Sequence, residues 1–453
     1  VARILLLCWR DSTHPQGGGS ERYLEHVADG LAAAGHTVVY RTSRSRGAAR
    51  SATTSTGVRF SRAGGRFTVY PRALLAILSG RLGLGPLGVL RQPDVVVDTQ
   101  NGVPFFARLV TTAPVVVLVH HIHREQWPVA GWLVARIGWW VESWVSPRVH
   151  ARSQYVTVSL PSADELAELG VAPARIAVVR NGLDPLPAGV APGKAEPDRA
   201  VPGGAEPDGA ESDGAESDGA EPAPPDTRAT GPRLVVLSRL VPHKHVEDAL
   251  DVLATLRPSR PGLVLDVIGS GWWADRLREY AAERGLTAPA GETGGGGETG
   301  GGGETGGGET GGVVFHGHVD EATKHRLLAG ATVHLMPSRK EGWGLAVSEA
   351  AQHGVPTVGY HHAAGLRDSI DDGETGLLVD DVAAMTDAVD RLLSDPDLRE
   401  RMGEAARRKA AGMSWPAAGA AMERVLAAVT EGRRLSGVID GRADRQPAPR
   451  RPA

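Results

Sequence analysis

Ser338-Arg339-Lys340-Glu341-Gly342-Trp343-Gly344-Leu345-Ala346-Val347-Ser348-Glu349-Ala350, followed by Gly354-Val355-Pro356-Thr357-Val358, is the stretch that decides how this chain reads. The apolar run Ala331 to Met336 before it predicts a buried strand, and the Ala-rich segment after it predicts a helix. A strand, a glycine-bearing turn and a helix therefore come in that order. In an α/β protein this is where anionic ligands settle, because the first turn of a helix has backbone N–H groups without intrahelical partners. Gly342 and Gly344 let a ligand approach that backbone. Carboxylates accept hydrogen bonds from hydroxyls, so Glu341 in the loop and Glu349 inside the helix suit two parts of one elongated ligand.

The same stretch, E-G-W-G-L-x3-E-A with G-V-P-T-V behind it, resembles the glutamate pair of glycosyltransferase family 4, the retaining nucleotide-sugar transferases of GT-B fold. The resemblance implies a role for Glu341 and the amides of Gly342, Trp343, Gly344 and Leu345 in orienting the transferred sugar, and for Glu349 in holding the ribose. Other landmarks follow in order over nearly all of residues 2 to 430, outside two low-complexity inserts. Leu234 to Leu237 predicts a strand, and Ser238-Arg239-Leu240-Val241-Pro242-His243-Lys244 follows it. Arg239 and Lys244 match the basic pair that grips the diphosphate leaving group in the family, with Ser238 where the family usually has Gly.

Near the start, Ile4 to Trp9 predicts a strand, Gly17-Gly18-Gly19 a turn, and Arg22 to Ala34 an amphipathic helix. The loop lacks the Gly-Lys-Ser/Thr of a Walker motif and does not match the dinucleotide fingerprint. Its glycines can still bring amides to a phosphate or an acceptor, and the resemblance places Gly18 and Gly19 near the transferred sugar. Val115 to Val119 predicts another strand, and it ends in His120-His121-Ile122-His123. No Cys or carboxylate set of metal-ligand spacing accompanies these histidines. The resemblance puts a sugar-contacting histidine directly after this strand; His120 matches best, and counting leaves His121 and His123 open. Asp395-Pro396-Asp397 reads as a helix start in a polar turn rather than a metal motif.

The 453 residues, 41% of them hydrophobic, suffice for two cores, and a net charge of −4 gives no reason to expect nucleic acid. A single cysteine, Cys8, excludes an intramolecular disulfide. With no signal-peptide pattern in the opening residues, the expected location is cytoplasmic. Five of the ten tryptophans fall between Trp127 and Trp144, mixed with Leu133, Val134 and Ile137 and flanked by Arg124, Arg136 and Arg148. That composition suits a membrane-interface helix, an aromatic wall for a sugar or lipid-linked acceptor, or a plain core helix. Membrane contact would place the chain peripherally on the inner face.

The expected architecture is α/β GT-B: two doubly wound Rossmann-like domains facing a cleft, with a C-terminal helix crossing back to the first. The divisions are an acceptor-side domain at 1–184, a disordered acidic linker at 185–232, and a nucleotide-sugar domain at 233–413 carrying a Gly-rich insert at 291–312. A crossover helix at 414–430 and a disordered tail at 431–453 complete the chain. The expected reaction moves a sugar from a nucleotide diphosphate donor, UDP- or GDP-sugar, to a hydroxyl of a glycan, a lipid-linked acceptor or a small molecule. Glu341, His120, Arg239 and Lys244 are the expected catalytic set. No cofactor or metal is expected, because the basic pair and the helix end supply positive charge. An inactive nucleotide-sugar-binding scaffold and a GT-B phosphorylase or epimerase are the competing readings.

Overall fold

The computed structural model describes residues 1–14, 17–124, 127, 131–190, 231–287 and 312–441. Two parallel sheets organise them. The first contains β1 (Arg3–Leu7), β2 (Thr37–Thr42), β3 (Ser51–Thr53), β4 (Arg59–Arg62), β5 (Val95–Thr99), β6 (Val115–Val119), β7 (Gln154–Thr157) and β8 (Ile176–Val178). The second contains β9 (Arg233–Leu237), β10 (Val264–Ile268), β11 (Val313–Gly317), β12 (Val333–Met336), β13 (Thr357–Tyr360) and β14 (Gly376–Val379). A short last strand, β15 (Gly437–Val438), returns to the first sheet.

Strand order in the first sheet is β15-β8-β7-β6-β5-β1-β2-β4-β3, and in the second β11-β10-β9-β12-β13-β14. All pairings are parallel except β3 with β4, which form an antiparallel hairpin beside β2. The strand runs are apolar on both faces because helices cover both sides. Leu5, Leu7 and Val96 face one layer, and Ile4, Leu6, Val95 and Val97 face the other. In each sheet the order reverses beside the first strand, between β1 and β5 and between β9 and β12. A doubly wound sheet opens a crevice at the carboxyl ends of those strands.

The helix Trp415–Thr430 leaves the second domain and packs on the first, where Met422, Val425 and Leu426 join Leu24, Val27 and Leu31 of the helix Gly19–Ala33 in one core. The two helices approach closely at Gly30 and Gly419, where a Cβ built on Gly30 would lie 3.3 Å from Gly419 Cα. Trp415 stacks on His26 with ring centres 4.3 Å apart.

The expected disordered tail differs from what is found at 433–441. There β15 pairs with β8, and the buried Gln154 side chain takes Leu435 N at 3.0 Å and donates to Leu435 O at 2.8 Å. A polar, Pro-rich composition hid this because the clamp comes from a residue far away in sequence. The acidic stretch and the Gly-Glu-Thr insert, apart from 185–190, 231–232 and Gly312, lie outside the described residues, as does 442–453.

Candidate active site

Both crevices carry the residues singled out in the sequence, and they face each other. After β9, the Arg239 side chain projects into the cleft, exposed and without a hydrogen bond or ion pair among the described residues. The packed walls around its guanidinium and the neighbouring Arg10 charge lower its pKa. A 3₁₀ turn, Pro242–Lys244, then brings Lys244 Nζ onto Glu341 Oε1, both side chains being largely buried. After β12, Gly344 caps the helix Leu345–Gln352 with φ of 88°, a left-handed conformation open to glycine. Gly342 serves another purpose, since a Cβ there would meet the His120 carbonyl oxygen at 2.5 Å. The second-domain loop thus passes directly beneath the first-domain strand end.

Trp343 is buried beside the first-domain core, with its indole N–H given to Ser348 Oγ at 3.1 Å. Its ring wedges the loop between the domains, which leaves only its backbone to a ligand. Glu349 pairs with Lys324 Nζ at 2.7 Å, and Lys324 also holds Glu321 at 2.6 Å. Lys324 therefore joins the site, and the sequence reading had not singled it out.

From the first domain, the loop after β1 ends in Gly18, whose N–H donates to Glu21 Oε2 at 2.8 Å. Gly19 opens the helix Gly19–Ala33 against the second domain, a Cβ there falling 2.8 Å from Leu345 Cδ1. Glu21 is wholly buried and also takes Arg10 Nε at 2.6 Å. This pair was missed, although Glu three residues after a cap position is a recognisable spacing.

After β6, His120 is 6% exposed, its ring edge-on to Tyr23 at 5.1 Å, and its Nε2 finds no partner among the described residues. Burial pulls its pKa down to about 4, more than the Glu21 charge raises it, so the imidazole is neutral near pH 7. His123 is occupied elsewhere: its N–H and ring reach the buried Glu142, at 3.2 Å in each case, and Glu142 also takes Trp127 Nε1 at 2.7 Å. His121 packs on His123 with ring centres 4.4 Å apart and also borders the Gly342 loop, while His120 lies at the base of the Gly19–Ala33 helix. Among the described residues, no three His, Cys, Asp or Glu side chains gather as a metal-ligand set.

The tryptophan segment divides. Trp139 packs inward, whereas Trp132, Leu133, Val134, Ile137, Trp140 and Trp144 present an exposed apolar face. Arg148 lies over Trp144 at 4.1 Å. Among the described residues, no helix is long and apolar enough to cross a membrane.

Ion pairs close the rim of the cleft. Asp368 of the second domain takes Arg180 Nη2 at 2.7 Å and Leu160 N at 2.9 Å, both from the first. Lys340 pairs with Glu165, and Gln352 Nε2 donates to Asp184 O at 2.7 Å.

Two family models match the chain, Glycosyltransferase Family 4 over residues 17–185 and Glycosyl transferases group 1 over residues 309–409. The chain is 28% identical to a glycogen synthase of Mycobacterium tuberculosis over 99% of its own length and 98% of that protein. It is 31% identical to a GDP-mannose-dependent alpha-(1-6)-phosphatidylinositol monomannoside mannosyltransferase of Mycolicibacterium smegmatis over 45% of this chain and 49% of that one. The fold matches a sucrose-phosphate synthase of Thermosynechococcus elongatus with a TM-score of 0.70 at 19% identity, covering 95% of this chain and all of the other. With one family model on each domain and both switch-point crevices facing one cleft, the chain belongs to the family 4 glycosyltransferases of GT-B fold.

Proposed function

We propose that this glycosyltransferase moves a sugar from a nucleotide diphosphate donor to an acceptor hydroxyl with retention of anomeric configuration, and needs no metal. The carrying observation is Arg239, a cation without an ion-pair partner among the described residues and exposed in the cleft beside the Gly18 backbone, with Lys244 a few residues on in the same loop. A departing diphosphate accumulates negative charge. Two cations and the amides at the start of Leu345–Gln352 lower the cost of that charge without reorganising at the moment of reaction. Lys244 would exchange part of its contact with Glu341 for phosphate oxygens, leaving the Glu341 carboxylate to accept hydrogen bonds from the sugar. Glu349, beside Lys324, takes the ribose hydroxyls. Neutral His120 offers its free Nε2 to the sugar on the reacting face. In retention, the leaving group departs ahead of attack by the acceptor from the same face.

Within the UDP- or GDP-sugar reading, one relative's name, GDP-mannose-dependent, supports a GDP-linked donor. The exposed Trp132, Trp140 and Trp144 beside Arg148 support a lipid-linked or glycan acceptor and a peripheral position on the inner face of a membrane. Thermal stabilisation screened with UDP, GDP and ADP tests the donor reading. At ~100-fold excess over its Kd a nucleotide adds roughly 2.7 kcal/mol to stability. The Arg239→Ala, Lys244→Ala double variant should lose that gain and its turnover together; a variant with native turnover refutes the reading. Failure to sediment with anionic liposomes at low salt counts against the membrane contact.

A further inference from the structure

We propose that Arg10 is a third cation for the donor diphosphate, supplied by the first domain and held in position by Glu21. The proposal rests on the reading above that Arg239 and Lys244 receive that diphosphate.

Glu21 has both carboxylate oxygens engaged, Oε1 by Arg10 Nε at 2.6 Å and Oε2 by Gly18 N at 2.8 Å. Wholly buried and doubly bonded, it is not placed to act on a ligand; its charge fixes a guanidinium and a backbone amide in one arrangement. Arg10 has only its Nε used in this way. Its terminal nitrogens make no hydrogen bond or ion pair among the described residues, and the guanidinium rests over the Trp9 ring at 4.6 Å. It is thus held from two sides with its donating edge left over.

Across the cleft, the Arg239 guanidinium lies 3.8 Å through Nε and 3.9 Å through Cζ from the place a Gly18 Cβ would occupy. The Arg10 charge is felt at Arg239, where it adds to the desolvation by the surrounding cleft in lowering the pKa. Two guanidiniums from opposite domains therefore converge on the N-terminus of Gly19–Ala33, with Glu21 already committed to one of them. Like charges held together are unfavourable until an anion lies between them. A ligand carrying two adjacent negative charges meets Arg10, Arg239 and the free amides of the helix at once. The His120 ring packs on Tyr23 of that helix, and its buried Nε2, without a partner among the described residues, is a second polar group left open there. The first domain then contributes to the leaving group as well as to the acceptor, and the diphosphate reports whether the cleft is closed.

The test uses the full chain with Arg10→Met, Arg10→Lys and Glu21→Gln, titrated with UDP and UMP and with GDP and GMP. Arg10→Met should weaken the preferred diphosphate by roughly tenfold while leaving its monophosphate within about twofold, and Arg10→Lys should recover part of the loss. Native diphosphate affinity in Arg10→Met overturns the proposal. So does an equal loss for the monophosphate and diphosphate, which is the mark of a structural role. Glu21→Gln should reproduce the Arg10→Met pattern; because Arg10→Met strands the buried Glu21 carboxylate, the Arg10→Met, Glu21→Gln double variant, which removes both charges of the pair, must show the same selective loss. If Arg239→Ala, Lys244→Ala retained native diphosphate affinity, the donor-site reading would fail and the Arg10 assignment with it; if that variant lost affinity while Arg10→Met kept it, only the Arg10 assignment would fail.

Discussion

Replacing Asp368 with Asn should loosen the closed arrangement of the two domains without disturbing either core. The side chain is 8% exposed and accepts two hydrogen bonds, both from the first domain, whereas its neighbours in the second domain hold only its backbone, through Lys409 Nζ at 3.0 Å. Arg180 is 44% exposed, so solvent screening limits that pair to at most about 1 kcal/mol. The bond from Leu160 N is charge-assisted but lies at the rim, and Asn keeps an oxygen for it, so about 0.5–1 kcal/mol is lost there. The sum, about 0.5–2 kcal/mol, shifts the closed-to-open ratio by roughly 2- to 30-fold. Where the closed form binds the donor, apparent affinity falls with its population. The assay is a double-mutant cycle of Asp368→Asn with Arg180→Ala, read by nucleoside diphosphate affinity and by radius of gyration from solution scattering. A nonzero coupling that shrinks at high salt is expected, together with a larger radius. Native affinity and radius in Asp368→Asn would refute the idea that this carboxylate latches the domains.

Acid should destabilise the protein earlier than its carboxylates alone would. Burial pulls His120, His150, His325 and His353 down to about 4 and His334 to about 3, all below their unfolded value. Below pH 6.5 the unfolded chain therefore binds protons that the folded one refuses. The stabilisation is complete above that pH and is lost progressively as pH falls from about 6.5 to the folded values of about 4 to 3, each group contributing at most about 1.4 kcal/mol per pH unit. Melting temperature should decline steadily from pH 7 to pH 5, and a flat profile over that window would contradict the buried neutral histidines. At the helix crossing, Gly30→Ala should be nearly neutral, a gain of about 1 kcal/mol in helix propensity offsetting the tight approach to Gly419. Gly30→Leu should cost about 1–3 kcal/mol by overpacking, and a melting temperature unchanged by Leu would rule out that close crossing.

Elements built from neighbouring residues were legible in the sequence. Apolar runs such as Val95–Thr99 and Val115–Val119 read as strands because both faces of each sheet are covered. Gly344 read as the turn into a helix, and its φ of 88° is the reason. The order of loops placed Gly18, Gly19, His120, Arg239, Lys244 and Glu341 at the carboxyl ends of strands, which is where they lie. What stayed hidden depends on how distant segments meet. Lys324 beside Glu349, Arg180 beside Asp368 and the Gln154 clamp on Leu435 join partners that no local window contains.

Glycine shows how one residue type carries both kinds of information. Gly342 and Gly19 suggested ligand access to the backbone, yet in the folded chain each receives the other domain, through the His120 carbonyl and the Leu345 side chain. A ligand held against these loops and the contact between domains therefore compete for, or share, the same few ångströms. Lacking Cβ atoms at those positions lets both be accommodated, and a side chain at either would push the cleft open before it touched any substrate. A side chain placed at Gly19 or Gly342 should therefore change donor affinity and domain closure together, which nucleotide titration and solution scattering on the same variant would read.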